Sequence, residues 1–212
     1  MSARLATYLL ALSILLTAGI SFVLYPILPD RLPVHWDWLG RPDGWADKGV
    51  AAFLIPNLTA ALLLLMHLLP RFSPKRLSIE AFAETYYYVF ALIGGLMMHL
   101  HAMTLLGGLM PDRDWSRCLL TGLFLFFGLL GNLLGKVRRN LWVGIRTPWS
   151  LASDSIWNAT HRLAARLMTG LCFLAILLLW LGASPAVGLV LLGVAVIAPV
   201  VYSYLLFRRE RG

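Results

Sequence analysis

Charged residues are scarce in this chain: they make up 13% of its 212 residues, whereas soluble domains carry about 25%. Hydrophobic residues make up 59% of the sequence. This balance excludes a water-soluble domain and indicates an integral membrane protein, with the lipid bilayer as its first partner.

Cysteine is nearly absent too, and Cys118 and Cys172 lie in different apolar runs. One is expected near the outer surface and the other near the middle of the bilayer, too far apart for a disulfide. The apolar runs also contain no H-E-x-x-H motif, nucleophile elbow or acidic pair. We therefore predict no enzyme activity, no metal and no cofactor.

Six apolar runs are long enough to cross about 30 Å of hydrocarbon, which takes about 20 helical residues. The sequence therefore predicts an all-α integral membrane protein, a bundle of six transmembrane helices. The first run follows Arg4 as a signal peptide does, but it is too long and lacks a clear cleavage site, so we expect a retained anchor. The runs cover residues 5–28, 50–69, 86–110, 118–135, 163–182 and 185–207.

Basic residues are distributed unevenly between the two sides of this layout. Thirteen of the 18 lie on the side of both termini and of the second and fourth connections. By the positive-inside rule, both termini are predicted to be cytoplasmic and the first connection extracytoplasmic. Topology thus explains the net charge of +8, and we predict no direct nucleic-acid binding.

The chain is predicted to divide after its first helix pair. Residues 1–69 hold that pair with an extracytoplasmic loop at 29–49. Residues 70–212 hold a four-helix region with a cytoplasmic loop at 136–162, and we expect no attached soluble domain.

Two features predict close helix packing. Pro56 and Pro199 lie inside spans, where neighbouring helices or polar side chains have to satisfy the carbonyls that the prolines free. Gly131 and Gly135 form a G-x-x-x-G pair that lets a helix approach, and Asn132 between them is expected to bond to that helix. Glycine is common in membrane helices, so chance spacing is the alternative.

The first outer connection is dense in tryptophan and aspartate, with the stretch HWDWLGRPDGWADKG. Gly40, Pro42 and Asp43 provide turn chemistry, so we expect a compact loop. Its tryptophans favour the headgroup level, which indicates an anchor along the outer membrane face. The alternatives are a recognition site for an extracellular peptide and a metal site at His35 and Asp37, although the ligand spacing for a metal is missing.

The connection after the fourth span is the most informative stretch. Residues 140–149 alternate apolar and other residues and stop at Thr147 and Pro148, which predicts an extended segment. Ser153 is expected to cap a helix that begins at Asp154. The guanidinium of Arg146 offers five donors, so we expect it to hold the loop together through carbonyls rather than to bind a ligand.

One side of the capped helix carries Asp154, Trp157, Asn158 and His161. This side is either a solvated or lipid-facing surface, or a docking site. In the second case it meets a cytoplasmic partner or another part of the bundle.

Two motifs in these connections resemble the SdpI family of bacterial membrane proteins. Ser150 stands where that family usually has Thr, and Ala165 where Gly is frequent. The first motif consists of Pro33, His35, Trp36, Gly40, Pro42 and Asp43, followed by Lys48. The second consists of Gly131, Asn132, Asn140, Gly144, Ile145, Arg146, Thr147, Pro148 and Trp149, followed by Trp157 and His161.

The resemblance implies a protein of the bacterial inner membrane that confers immunity to a secreted, membrane-active peptide toxin. It also implies that the protein senses the toxin and sequesters a small winged-helix autorepressor at the membrane. The candidates for toxin or ligand recognition are then His35, Trp36, Asp37, Gly40, Pro42 and Asp43. The cytoplasmic candidates are Asn132, Asn140, Gly144, Arg146, Thr147, Pro148, Trp149, Trp157 and His161.

Two other classes of function stay open. His67, His99 and His101 lie inside predicted spans, where ionisable residues are costly, and they would suit a transporter or a metal-dependent membrane enzyme. His99 and His101 are about 200° apart around a helix, however, so they cannot face one ligand. The G-x-x-x-G pair alone favours a structural membrane subunit.

Overall fold

Each of the six apolar runs forms one continuous helix. The structure is a computed structural model that describes residues 1–211, apart from the side chains of Arg76 and Arg211. All six helices are long and apolar enough to cross a membrane, which confirms the predicted fold class. They are α1 (Ala3–Leu24), α2 (Lys48–Leu68), α3 (Ala83–Leu109), α4 (Ser116–Leu134), α5 (Asp154–Trp180) and α6 (Pro185–Arg211).

The helices pack as two groups of three. Helices α1, α2 and α3 contact one another, α5 packs extensively against α4 and α6, and α3 joins the groups through α4. Near one end, Tyr86 is fully buried and its hydroxyl donates to the carbonyl of Met66 at 3.0 Å. Because α3 contacts both groups, the bundle is continuous across residue 69.

Glycines on α4 form the contact with α5. A Cβ atom on Gly131 would lie 2.6 Å from Cβ of Met168 and 2.9 Å from the backbone nitrogen of Thr169. The Thr169 hydroxyl donates to the carbonyl of Gly128 at 3.1 Å. The predicted close approach at the G-x-x-x-G pair is therefore confirmed. Asn132 instead is exposed, since it lies on the α4 surface away from α5, and its predicted bond to that helix is wrong.

The proline in α2 has the polar neighbour that its position requires. Pro56 has no N–H to donate to the carbonyl of Ala52 one turn earlier. The Ser21 hydroxyl of α1 donates to that carbonyl at 2.5 Å, and it also lies 3.1 Å from Nε2 of His101 on α3. One freed carbonyl thus ties together three helices inside the bilayer, as expected for a proline in a packed bundle.

The connection between α1 and α2 forms a β-hairpin, which the sequence did not predict. Strand β1 (Arg31–Trp36) pairs antiparallel with β2 (Pro42–Asp47), and the register is irregular near His35. Residues 37–41 join them: the Asp37 N–H donates to the Arg41 carbonyl at 2.8 Å, the Gly40 N–H donates to the Asp37 carbonyl at 2.9 Å, and Gly40 has φ +80°. This is the common hairpin in which a turn is closed by a left-handed glycine.

The hairpin is packed onto the bundle. Leu32 is fully buried, and its Cδ2 and the Cγ of Pro33 occupy the space that Cβ atoms on Gly108 and Gly107 of α3 would take. At the hairpin tip, the Ser116 hydroxyl at the start of α4 donates to the Gly40 carbonyl at 3.1 Å. The prediction of a compact loop is confirmed, because the hairpin packs against α3 and is hydrogen-bonded to the start of α4.

Candidate functional sites

The hairpin (residues 31–47) divides its predicted recognition residues into two sets. Asp37 and Gly40 shape the turn: Asp37 Oδ1 accepts from the N–H groups of Leu39 at 2.8 Å and Arg41 at 2.9 Å. His35 and Asp43 form a surface pair, with Nδ1 of the histidine 2.5 Å from Oδ1 of the aspartate. Pro42 is exposed beside them, and Trp36 is half-buried.

The remaining aromatic rings of the hairpin are open to the surroundings. Trp38 is 62% exposed and Trp45 is 50% exposed. Beside the hairpin, hydrogen bonding by Ser116 holds the pKa of Asp114 below its ordinary value, so this carboxylate stays charged. The hairpin therefore presents indole rings among paired and hydrated charges.

At the opposite end of the bundle, the α4–α5 loop (residues 135–153) is organised around Asn140. This side chain is fully buried. Its amide donates to the carbonyls of Arg138 at 2.8 Å and Val143 at 2.9 Å. Its oxygen accepts from the N–H groups of Trp142 at 2.6 Å and Val143 at 2.8 Å. One asparagine thereby satisfies four backbone groups that no helix or strand satisfies.

His161 on α5 holds the next part of this loop. The Ile145 N–H donates to its Nε2 at 2.9 Å, so Nδ1 carries the proton and donates to the Trp157 carbonyl at 2.8 Å. The imidazole stacks on the Trp157 ring with centroids 4.0 Å apart. Gly144 fits beside them at φ +113°, where a Cβ atom would lie 2.3 Å from Nε2 of His161.

The loop ends in a turn that is fixed to α6. The Thr147 N–H donates to the Ser150 hydroxyl at 2.9 Å, and that hydroxyl donates to the Ile145 carbonyl at 2.7 Å. Nε1 of Trp149 donates to the hydroxyl of Ser203 at 2.5 Å. Pro148 is exposed within the turn.

The predicted extended segment at residues 140–149 is therefore wrong. The backbone bends after Asn140 and turns at 148–150, because the side chains of Asn140 and Ser150 take the hydrogen bonds that a partner strand would provide. The predicted role of Arg146 agrees with the structure, since its guanidinium donates to the Leu141 carbonyl within the same loop.

The start of α5 confirms its predicted cap but not its predicted polar surface. The Ser153 side chain accepts from the N–H groups of Ser155 and Ile156. Trp157 and His161 are buried, because the α4–α5 loop covers them, and Nε1 of Trp157 donates to the Val137 carbonyl at 2.8 Å. Of the alternatives for this side, docking within the bundle is observed for Trp157 and His161, whereas Asp154 is exposed and Asn158 is half-buried.

A cavity and a cleft lie next to the α4–α5 loop, and the sequence did not predict either of them. An apolar cavity of about 320 Å³ lies between α3, α4, α5 and the loop segment 142–145. A polar cleft of about 430 Å³ lies between the α2–α3 connection, the α4–α5 loop and the start of α5, and Arg139 and Asp154 form an ion pair of 2.9 Å at its edge. The cleft is lined by Lys75, Ser78, Glu80, Arg138, Arg139 and Asp154.

The three histidines within the spans lie apart. Nε2 of His67 is 3.2 Å from the Thr7 hydroxyl, Nε2 of His99 is 3.4 Å from the Leu119 carbonyl, and His101 contacts Ser21. Within residues 1–211, no group of three or more His, Cys, Asp or Glu side chains is placed to hold a metal ion.

The fold and these sites define a multi-pass protein of the cell membrane, with structured connections at both ends of a six-helix bundle. Residues 136–203 match the model of the SdpI/YfhL protein family, and residues 12–60 match a domain of unknown function (DUF1648). Immunity protein SdpI of Bacillus subtilis (strain 168) is 25% identical over 148 residues, which cover 70% of this chain and 69% of that protein. No solved structure matches. The resemblance to the SdpI family is therefore confirmed for residues 136–203, which include the signature around Arg146.

Proposed function

We propose that this protein is a non-enzymatic immunity protein that protects its cell against a secreted, membrane-active peptide toxin. The observation that carries the proposal is the similarity to Immunity protein SdpI, which extends over 70% of this chain. The exposed indole rings and the His35–Asp43 pair of the hairpin supply a surface for an amphipathic peptide.

The proposal requires the hairpin to lie outside the cell and the α4–α5 loop to lie inside. The excess of basic residues on the side of the α4–α5 loop supports this orientation, with both termini in the cytoplasm. The division into residues 1–69 and 70–212 then separates the region that holds the outer hairpin from the region that holds the inner loop.

Cysteine accessibility tests this orientation. In a background with Cys118 and Cys172 replaced by Ser, we expect Arg41→Cys to react with a membrane-impermeant maleimide in intact cells. Arg138→Cys is expected to react only after the cells are opened. Both side chains are exposed in the structure, so burial does not limit either reaction. Labelling of both positions from outside contradicts the orientation.

Helix α3 provides a physical connection between the two ends. At its outer end, Gly107 and Gly108 seat the hairpin. At its inner end, Val89 and Phe90 line the apolar cavity together with Trp142 of the α4–α5 loop. We propose that toxin binding to the hairpin shifts α3 and so changes the inner face, where the polar cleft receives a small winged-helix repressor.

Deletion of the gene tests the immunity function. We expect deleted cells to lose viability in conditioned medium from dense cultures of their own species, because the secreted toxin accumulates there. The wild-type gene is expected to restore viability, whereas a variant with Trp38 and Trp45 both changed to Ser is expected not to. Equal membrane levels of the two proteins have to be verified by immunoblot. Unchanged viability of deleted cells, in this medium and against a panel of secreted amphipathic peptides, contradicts the proposal.

A further inference from the structure

The outer edge of β2 has backbone N–H groups that point away from β1, while the carbonyl of Trp45 accepts from the Arg31 guanidinium at 3.1 Å. The Lys48 N–H donates to the Asp30 carbonyl at 2.8 Å, and the register pairs Leu32 with Ala46 two residues further along. In an antiparallel ladder, hydrogen-bonded pairs alternate with pairs whose N–H and C=O groups point away from the partner strand. Trp45 and Asp47 occupy these alternate positions, so their N–H groups point away from β1. Outside the ladder, neither N–H donates to another backbone group of the described residues.

This edge is the free side of the hairpin. Strand β1 packs on α2 and α3, with Leu32 fully buried, whereas β2 contacts β1 and the start of α2, which it leads into. Exposed strand edges of this kind accept a further strand unless side chains prevent it.

The side chains at the edge of β2 determine the charge of a strand that can pair with it. Trp45 and Asp47 lie on one face of β2, with the half-buried Ala46 between them. The Asp47 side chain is 84% exposed and is 4.0 Å from Nε of Arg31, so most of its carboxylate is free to meet another cation. Two copies of this edge paired about Trp45 would place Asp43 opposite Asp47, and like charges in that position are destabilising. The edge therefore disfavours a second copy and favours a basic strand.

We propose that the edge of β2 binds an extended segment of a cationic peptide by strand addition, with a basic side chain beside Asp47 and an apolar one beside Trp45. This binding mode rests on the proposed immunity function, and it gives the conformation and charge of the toxin segment that is recognised.

Substitutions at Asp47 separate the backbone contribution from the charge. Asp47 has φ −61°, which proline adopts, and its side chain forms no cap hydrogen bond to α2. Asp47→Pro thus removes the outward N–H and the charge, whereas Asp47→Asn removes the charge alone. Asp112→Asn removes a charge at another exposed position, in the loop between α3 and α4.

The test uses the full-length protein in lipid nanodiscs. The probe is a capped synthetic peptide, Thr-Lys-Thr-Leu-Thr-Lys-Thr, and the control replaces both Lys by Glu; affinity is measured by fluorescence polarisation. We expect the Lys peptide to bind and the Glu peptide not to bind. Asp47→Asn is expected to weaken binding and its salt dependence, and Asp112→Asn to have a smaller effect. Asp47→Pro is expected to bind about fivefold more weakly than Asp47→Asn, the effect of one lost hydrogen bond.

Three results overturn the strand-addition mode: no binding of the Lys peptide, equal binding of the Glu peptide, or equal affinities of the Pro and Asn variants. If one of these occurs while gene deletion still sensitises cells, the immunity function stands without this binding mode. If Asp47→Pro binds the Lys peptide more weakly than Asp47→Asn, as expected, but gene deletion leaves cell viability unchanged, the edge is a peptide-binding site and the proposed immunity function is wrong.

Discussion

Asn140→Ala is expected to lower the free energy of unfolding by about 3 kcal/mol, a large effect for a single substitution. Asn140 is fully buried and bonds four backbone groups of the α4–α5 loop. The alanine leaves these groups without partners. The N–H and carbonyl of Val143 are buried and cost about 1–3 kcal/mol each, whereas those of Trp142 and Arg138 are part-buried, so water can replace the lost bonds. Equilibrium unfolding in mixed micelles measures the loss.

Asn132→Ala is the matched control for this substitution. The same side chain is removed from the same signature, but Asn132 is exposed on α4 and forms no hydrogen bond to a described residue. We expect a change within about 0.5 kcal/mol. Similar losses at the two positions contradict the structural role of Asn140.

Gly144→Ala is expected to have the other large effect, about 3–5 kcal/mol, because two costs add at this position. Gly144 has φ +113°, which alanine adopts with strain, and the new Cβ would lie 2.3 Å from Nε2 of His161. The imidazole has to move, and the hydrogen bond from the Ile145 N–H is then lost. The same unfolding experiment measures this loss.

Gly182→Ala separates strain from steric overlap. Gly182 also has a positive φ, +93°, but no atom outside its neighbourhood lies within 4 Å of the added Cβ. We expect a loss of about 1–2 kcal/mol there, from strain alone. The double variant Gly144→Ala, His161→Ala is expected to lose less than the sum of the single variants, because the overlap is gone. Additive losses contradict the contact between Gly144 and His161.

The helices were predictable because each depends on a local property, a run of apolar residues long enough to cross a bilayer. The packing at Gly131 and the satisfied carbonyl near Pro56 were also predictable, since small residues and prolines impose a requirement that a neighbour has to meet. Which neighbour meets it depends on the tertiary fold, and the sequence did not identify Ser21 or Met168.

The site residues were harder to interpret. The signature residues Asn140, Gly144 and His161 were found by their resemblance to a family, but the sequence did not distinguish a buried hydrogen-bonding role from a surface one. The alternation at residues 140–149 predicted an extended segment, because periodicity does not reveal side chains that bond to the local backbone. The hairpin was missed because its register is irregular and Gly40 closes it through a conformation that no periodicity reveals.

The two indole hydrogen bonds of the α4–α5 loop fix it to both groups of three helices. Trp142 donates to Ser73, between α2 and α3, and Trp149 donates to Ser203 on α6, so the loop spans both groups of three helices. At the other end, the hydroxyl of Ser116 reaches across to the hairpin. A side-chain hydrogen bond thus crosses between the two groups at each end of the bundle, so separation of the groups at either end has to break one.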